Sequence, residues 1–201
     1  MKQIIRFALN LLIVLLVLSA GIFFGFYYHN EIEVLWQGIV HQPDATTPAA
    51  PLPSVDPTQD SYINLPSLDQ PLPLVFSETL DEPTIQEYLK QGAVVLPLGT
   101  TFGETGNVVV TAHSSGATNF GPYRFAFAKI SELKDGDDFT VHTPQAIYTY
   151  RVYGQEIVWP TQVDKLPNDD RSTVTLVTCW PLWTNFKRLL VNSELTRVDY
   201  K

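Results

Sequence analysis

Apolar positions fall into three rhythms along this chain. From Phe7 to Tyr28 they run almost unbroken, 22 residues in which only Asn10, Ser19 and the closing pair Tyr27–Tyr28 carry polar groups. Across residues 41–60, HQPDATTPAAPLPSVDPTQD, the pattern gives way to proline, five in twenty positions. From Tyr62 onward, short β-branched and aromatic runs are broken by glycine, proline, asparagine and aspartate.

Each rhythm predicts an element. A helix rises about 1.5 Å per residue, so the first run spans a hydrocarbon core of roughly 30 Å. Lys2 and Arg6 precede it and Glu31 and Glu33 follow. The positive-inside bias therefore places the N-terminus in the cytoplasm and the rest outside the cell, as a single-pass protein of the cell membrane. A cleaved signal peptide is the rival reading, but its apolar core is shorter, about 7–15 residues, and Leu18 spoils a small-x-small cleavage site. Proline fixes φ and removes amide donors, so the second stretch stays extended and packs no core. The expected division is a cytoplasmic end (1–6), a membrane anchor (7–28), a juxtamembrane segment with a proline-rich stalk (29–60) and a folded domain (61–201).

Within that domain one helix is predicted. Pro83 suits its first turn, Ile85, Tyr88 and Leu89 form an apolar stripe, and Gly92 is placed to cap its end. Strands are predicted at Leu74–Phe76, Ala93–Leu96, Asn107–Thr111, Phe139–Thr143, Ile147–Val158, Thr173–Cys179 and Lys187–Leu195, with a hairpin turn at Pro144–Gln145. In Thr173–Cys179, residues 173, 175, 177 and 179 face one way and Val174, Leu176 and Thr178 the other. About eight short strands and one clear helix make an all-β barrel or sandwich, and closure would remove exposed sheet edges.

Composition narrows the chemistry. Acidic residues number 21 against 13 basic, a formal charge of −8, which argues against a nucleic-acid partner. One cysteine excludes an intrachain disulfide and a cysteine-based zinc cluster. The histidines at 29, 41, 113 and 142 show no metal-ligand spacing, so neither a metal nor another cofactor is expected. Calcium dependence stays open at this level.

Cys179 ends a strand just before Trp180–Pro181. A lone cysteine is commonly a buried, inert thiol. Outside the cell, though, an unpaired thiol is a liability unless it is used, and strand ends carry function. Nucleophilic cysteine chemistry needs a thiolate, a proton donor for the leaving amine and a stabiliser for the oxyanion. His113 ends a strand and opens a polar loop, so it can act as general acid. Arg188 follows on the next strand, and its guanidinium can donate to an oxyanion without entering proton exchange. The bland alternatives are a satisfied surface histidine and a structural ion pair. His142 reads as a plain strand residue.

These residues carry a resemblance. Thr175-Leu176-Val177-Thr178-Cys179 followed by Arg188 resembles the TLxTC…R signature of sortases. Gly106-Asn107-Val108-Val109-Val110-Thr111-Ala112-His113 resembles the family's GNxxxxGH segment, with Ala112 where glycine is usual. Gln91–Pro97 is similar to its helix-to-strand stretch, and the likeness covers roughly residues 62–198. It implies an eight-stranded closed β-barrel with one or two short helices. It also implies a cysteine transpeptidase acting on surface proteins that bear a C-terminal LPxTG-like sorting signal. Cys179 would be the nucleophile, His113 the general acid and Arg188 the oxyanion and substrate stabiliser. The acyl group would pass to an amine of a peptidoglycan precursor or a pilin lysine. Which residues bind the substrate is not legible.

Other cysteine and cell-wall chemistries fit less well. Papain-like proteases place cysteine before histidine. L,D-transpeptidases carry a histidine two or three residues before the cysteine, where Val177-Thr178 stand here, and the viral chymotrypsin-like pattern GxCG is broken by Val177 and Trp180. A non-catalytic anchored β-domain that binds a wall ligand is the alternative from another class.

Overall fold

The computed structural model describes residues 60–201 apart from 69, 163, 164, 168 and 169, together with residues 6, 14 and 17–19. The expected membrane helix, those last positions apart, and the proline-rich stalk lie outside the described residues. Among the described residues no helix is long and apolar enough to cross a membrane.

Eight strands close into one barrel. They are β1 (Tyr62–Asn64), β2 (Leu72–Phe76), β3 (Ala93–Val95), β4 (Gly106–Thr111), β5 (Asp138–His142), β6 (Ala146–Val158), β7 (Ser172–Trp180) and β8 (Lys187–Tyr200). Their order around the barrel is β1-β2-β3-β4-β7-β8-β6-β5, with β5 pairing back onto β1. Two neighbouring pairs, β2–β3 and β4–β7, are parallel. Parallel neighbours need a crossover, and between β2 and β3 it is the helix α1 (Glu82–Leu89). The connection from β4 to β5 carries two short 3-10 turns, Thr118–Phe120 and Ile130–Glu132.

Alternation along the strands builds the interior. Val108 and Val110 of β4, Tyr150 and Val152 of β6, Val174 and Leu176 of β7 and Val191 of β8 are buried in one cluster with Ile63, Val94 and Val141. Full burial of such side chains contributes about 1.5–3 kcal/mol each. The core reaches the described crossover as well, through Leu89 and, partly buried, Ile85 and Tyr88.

The start of α1 follows its sequence. The Asp81 carboxylate accepts from the Thr84 amide at 3.2 Å and the Thr84 hydroxyl at 2.8 Å, and Pro83 sits in the first turn. Its end differs from expectation. Lys90, still right-handed helical, is the C-cap. Gly92 serves a different need: a Cβ there would be driven into the Pro73 carbonyl. β2 and β3 run side by side from Leu74–Ala93 onward, so the missing side chain lets the two backbones approach. The other boundaries move by a residue or two, except that β8 continues five residues past Leu195, to Tyr200, paired throughout with the 13-residue β6.

Candidate active site

The barrel order places β4, β7 and β8 side by side, and the registers align their ends. On the antiparallel pair β7–β8, Cys179 stands directly opposite Arg188. Residues so paired have Cβ atoms about 4.5–5.5 Å apart. On the parallel pair β4–β7, Thr111 is level with Val177, and the Ala112 amide still donates to the Val177 carbonyl at 3.3 Å. His113 lies two residues past Thr111, just beyond the end of β4. Cys179 near the end of β7, Arg188 near the start of β8 and His113 just past β4 thus lie at or beside the ends of three adjacent strands.

Cys179 is half-buried and unpaired. The core-facing set is Val174, Leu176 and Thr178, so Cys179 lies on the outer face with Thr173 and Thr175. Those two hydroxyls contact the Asn107 side chain at 3.1 and 3.0 Å, and Thr175 also meets the Asn192 amide at 3.0 Å. One hydroxyl proton cannot serve both amides, so one of them must turn its NH2 toward Thr175. The threonine of the TLxTC segment and the asparagine of the GN segment therefore meet as a hydrogen-bonded pair, the threonine buried and the asparagine half-buried, that ties β4 to β7.

His113 is 8% exposed, and its Nε2 is buried with no hydrogen-bond partner. The Phe120 ring stands edge-on to the imidazole with centroids 4.8 Å apart. Gly116 makes this fold-back feasible, since a Cβ there would press on the Phe120 ring at 2.9 Å. Burial pushes the His113 imidazole below its ordinary 6.5. Among the described residues no carboxylate bonds to it, so nothing there restores its basicity. Arg188 has its Nη1 tied to the carbonyls of Asn185 and Lys187, both at 3.0 Å. Nε and Nη2 carry the remaining donors.

On the same outer face of β4, a cavity of about 280 Å³ is lined by Leu98, Thr100, Asn107, Val109, Leu166 and Pro167, among others. His142 takes no part in this site. It lies in β5, stacked on Tyr62 at 4.4 Å and bonded to Thr140 at 2.9 Å. His29 and His41 lie outside the described residues. No three His, Cys, Asp or Glu side chains gather as a metal site among the described residues.

A family model described as the sortase domain matches residues 63–196. The chain belongs to the sortase family. It is 27% identical over 176 residues to sortase A of Bacillus anthracis, covering 87% of this chain and 77% of that protein. Among solved structures it resembles sortase C of Clostridium perfringens with the C-terminal cell wall sorting motif. That match is 35% identical, with a TM-score of 0.56, and covers 68% of this chain and 69% of that one. It also resembles sortase C of Streptococcus pneumoniae, a structure reported for catalysis and pilin substrate specificity. There the identity is 26%, the TM-score 0.57, and 68% of this chain and 65% of that one are covered. As a sortase the protein is a transpeptidase, and the non-catalytic and L,D-transpeptidase readings fall away.

Sequence reasoning named Cys179, His113 and Arg188; the structure pairs Cys179 with Arg188 across β7–β8 and places His113 two residues past the end of β4, the strand beside β7. It missed the hydroxyls of Ser114, Ser115 and Thr178, which bond between the segments carrying those residues. Their signals in the sequence are the polar run that follows His113 and the threonine before Cys179 in the TLxTC segment.

Proposed function

We propose that this sortase cleaves a C-terminal LPxTG-like sorting signal and transfers the acyl part to an amine of a peptidoglycan precursor or of a pilin lysine. The observation that carries the reading is the direct pairing of Cys179 with Arg188 across β7–β8, with His113 just past the end of the adjoining β4.

In this reading the Cys179 thiolate attacks the threonine carbonyl carbon and a tetrahedral oxyanion forms. Arg188 donates to that oxygen from the guanidinium nitrogens not tied to the loop. His113 gives its proton to the nitrogen of the departing glycine, the C–N bond breaks, and a thioester remains. An incoming amine then loses a proton to His113, attacks the thioester carbon and frees the thiol.

For free imidazole and thiol, the imidazolium–thiolate pair is only about 1% of the neutral pair. Burial of His113 lowers the imidazolium share further.

The rest of the proposal concerns placement. Residues 7–28 anchor the chain in the lipid bilayer, 29–60 space it from the surface, and 61–201 form the catalytic domain outside the cell. Incubation with a library of LPxTG-like peptides and an amine acceptor tests the chemistry. A new amide between the peptide's threonine and the acceptor is expected. Hydrolysis at other bonds, or no product from folded protein, would refute it.

A further inference from the structure

The backbone ladder between β4 and β7 stops at Ala112. Beyond it the His113 carbonyl turns away and accepts from the Phe127 amide at 2.8 Å. Among the described residues no backbone bond beyond that point holds the end of β4 to the end of β7. Two side-chain hydroxyls take over. Thr178, just before Cys179, donates to the Ala112 carbonyl at 2.7 Å. Ser114, just after His113, donates to the Cys179 carbonyl at 2.9 Å. The two bonds are reciprocal and bracket the histidine and the cysteine from opposite sides. Ser114 is only 1% exposed, so water does not replace its hydroxyl if that is lost.

The next residue extends the bracket to the third member. The Ser115 hydroxyl accepts from the Trp183 amide at 2.6 Å. Trp183 has φ 67°, a left-handed conformation that a bulky residue holds only when its surroundings impose it. The Phe125 ring meets its indole edge-on at 5.6 Å. Two residues on, the Asn185 carbonyl is one of the two that hold the Arg188 guanidinium. The loop that aims Arg188 is thus fastened to the segment that follows His113.

We propose that Ser114 and Ser115 are positioning residues of the transpeptidation, Ser114 setting His113 against Cys179 and Ser115 setting the loop that carries Arg188. The proposal rests on the functional reading above. Neither serine touches the reacting atoms. Their effect runs through geometry, where a misplacement of about 1 Å can cost on the order of 10²-fold in rate.

The test uses the full chain, a peptide accepted by the wild type and an amine acceptor. Ser115→Ala is expected to lower kcat by about tenfold or more while KM stays within about twofold. Ser115→Thr, which keeps the hydroxyl, should recover most of the loss. Ser114→Ala should lower kcat at least as much. Should that buried change prevent folding, the half-exposed Ser115 pair still decides. A wild-type kcat in Ser115→Ala, or a loss that threonine does not restore, overturns the proposal. A second arm needs no peptide: alkylation of Cys179 by iodoacetamide at one fixed pH. Ser114→Ala must shift that rate in the same direction as His113→Ala; no shift beside a clear effect of His113→Ala overturns the bracket. If the wild type accepts no peptide, the functional reading fails, and the alkylation arm still judges the serines.

Discussion

Arg188→Lys separates an oxyanion donor from a structural cation. Arg188 stands across the ladder from Cys179, and its Nη1 is spent on the Asn185 and Lys187 carbonyls. The planar fork lets one end anchor while Nε and Nη2 remain free to donate. Lysine has a single nitrogen, so it must choose between the anchoring carbonyls and the oxyanion. Losing one oxyanion donor typically costs about 10²–10³ in rate, or about 2.7–4 kcal/mol of transition-state stabilisation. The fold should suffer less. Two hydrogen bonds from a half-buried side chain are worth about 0.5–1.5 kcal/mol each, which lowers the midpoint of a domain this size by a few degrees. The assay is single-turnover acylation read by quenched-flow mass spectrometry, with peptide affinity and melting temperature measured alongside. Arg188→Lys should bind peptide near normally and acylate about 10²–10³-fold more slowly, and Arg188→Ala should be as slow or slower. Acylation near the wild-type rate in both, with a lowered melting temperature, would show that the arginine is structural.

Four further outcomes follow. His113→Ala should cost at least the roughly 10²–10⁴-fold typical of general acid–base catalysis in turnover, read from product formation. His113 also bears on stability. Its folded pKa lies below the ordinary 6.5, so the unfolded chain binds more protons in that range and stability falls as the pH drops through and below 6.5. His142, also lowered by burial and by the nearby Lys201 charge, acts in the same direction. Melting curves between pH 5 and 8 should flatten in His113→Gln, and an unchanged slope would contradict the burial argument. Gly92→Ala should destabilise by about 1–3 kcal/mol, because the clash is with the Pro73 backbone rather than a movable side chain; denaturant midpoints check this. Protease added to intact cells should remove the catalytic domain, while N-terminal sequencing should still find Met1 or Lys2; a mature start near Gly21 would contradict the anchor.

The strand pattern was legible because half-buried strands write their alternation into the sequence. Val174 and Leu176 alternate with Thr173 and Thr175, and the structure puts the first pair in the core and buries the two threonines on the opposite face. Closure was not legible from alternation, which serves a sandwich equally well. The parallel pairing of β4 with β7 joins segments 66 residues apart, as in Gly106 with Ser172. No local signal encodes that pairing. The nine residues from Cys179 to Arg188 made an antiparallel return natural, and the register confirms a direct pair. The Gly92 reading failed because glycine signals either a helix end or a close approach, and only the neighbouring Pro73 decides between them. The bonds of Ser114, Ser115 and Thr178 stayed hidden for a related reason: hydroxyls of a polar loop or a strand look alike until their partners are known.

The central claim is that Cys179 becomes acylated by the peptide. The direct measurement is the intact mass of the protein after brief exposure to an LPxTG-like peptide without an acceptor amine. The account predicts one added acyl group, equal to the peptide up to its threonine, mapped to Cys179, released by hydroxylamine as a thioester must be, and absent in Cys179→Ala. An unmodified Cys179 in protein that nonetheless cleaves the peptide, or an adduct that persists in Cys179→Ala, would contradict it.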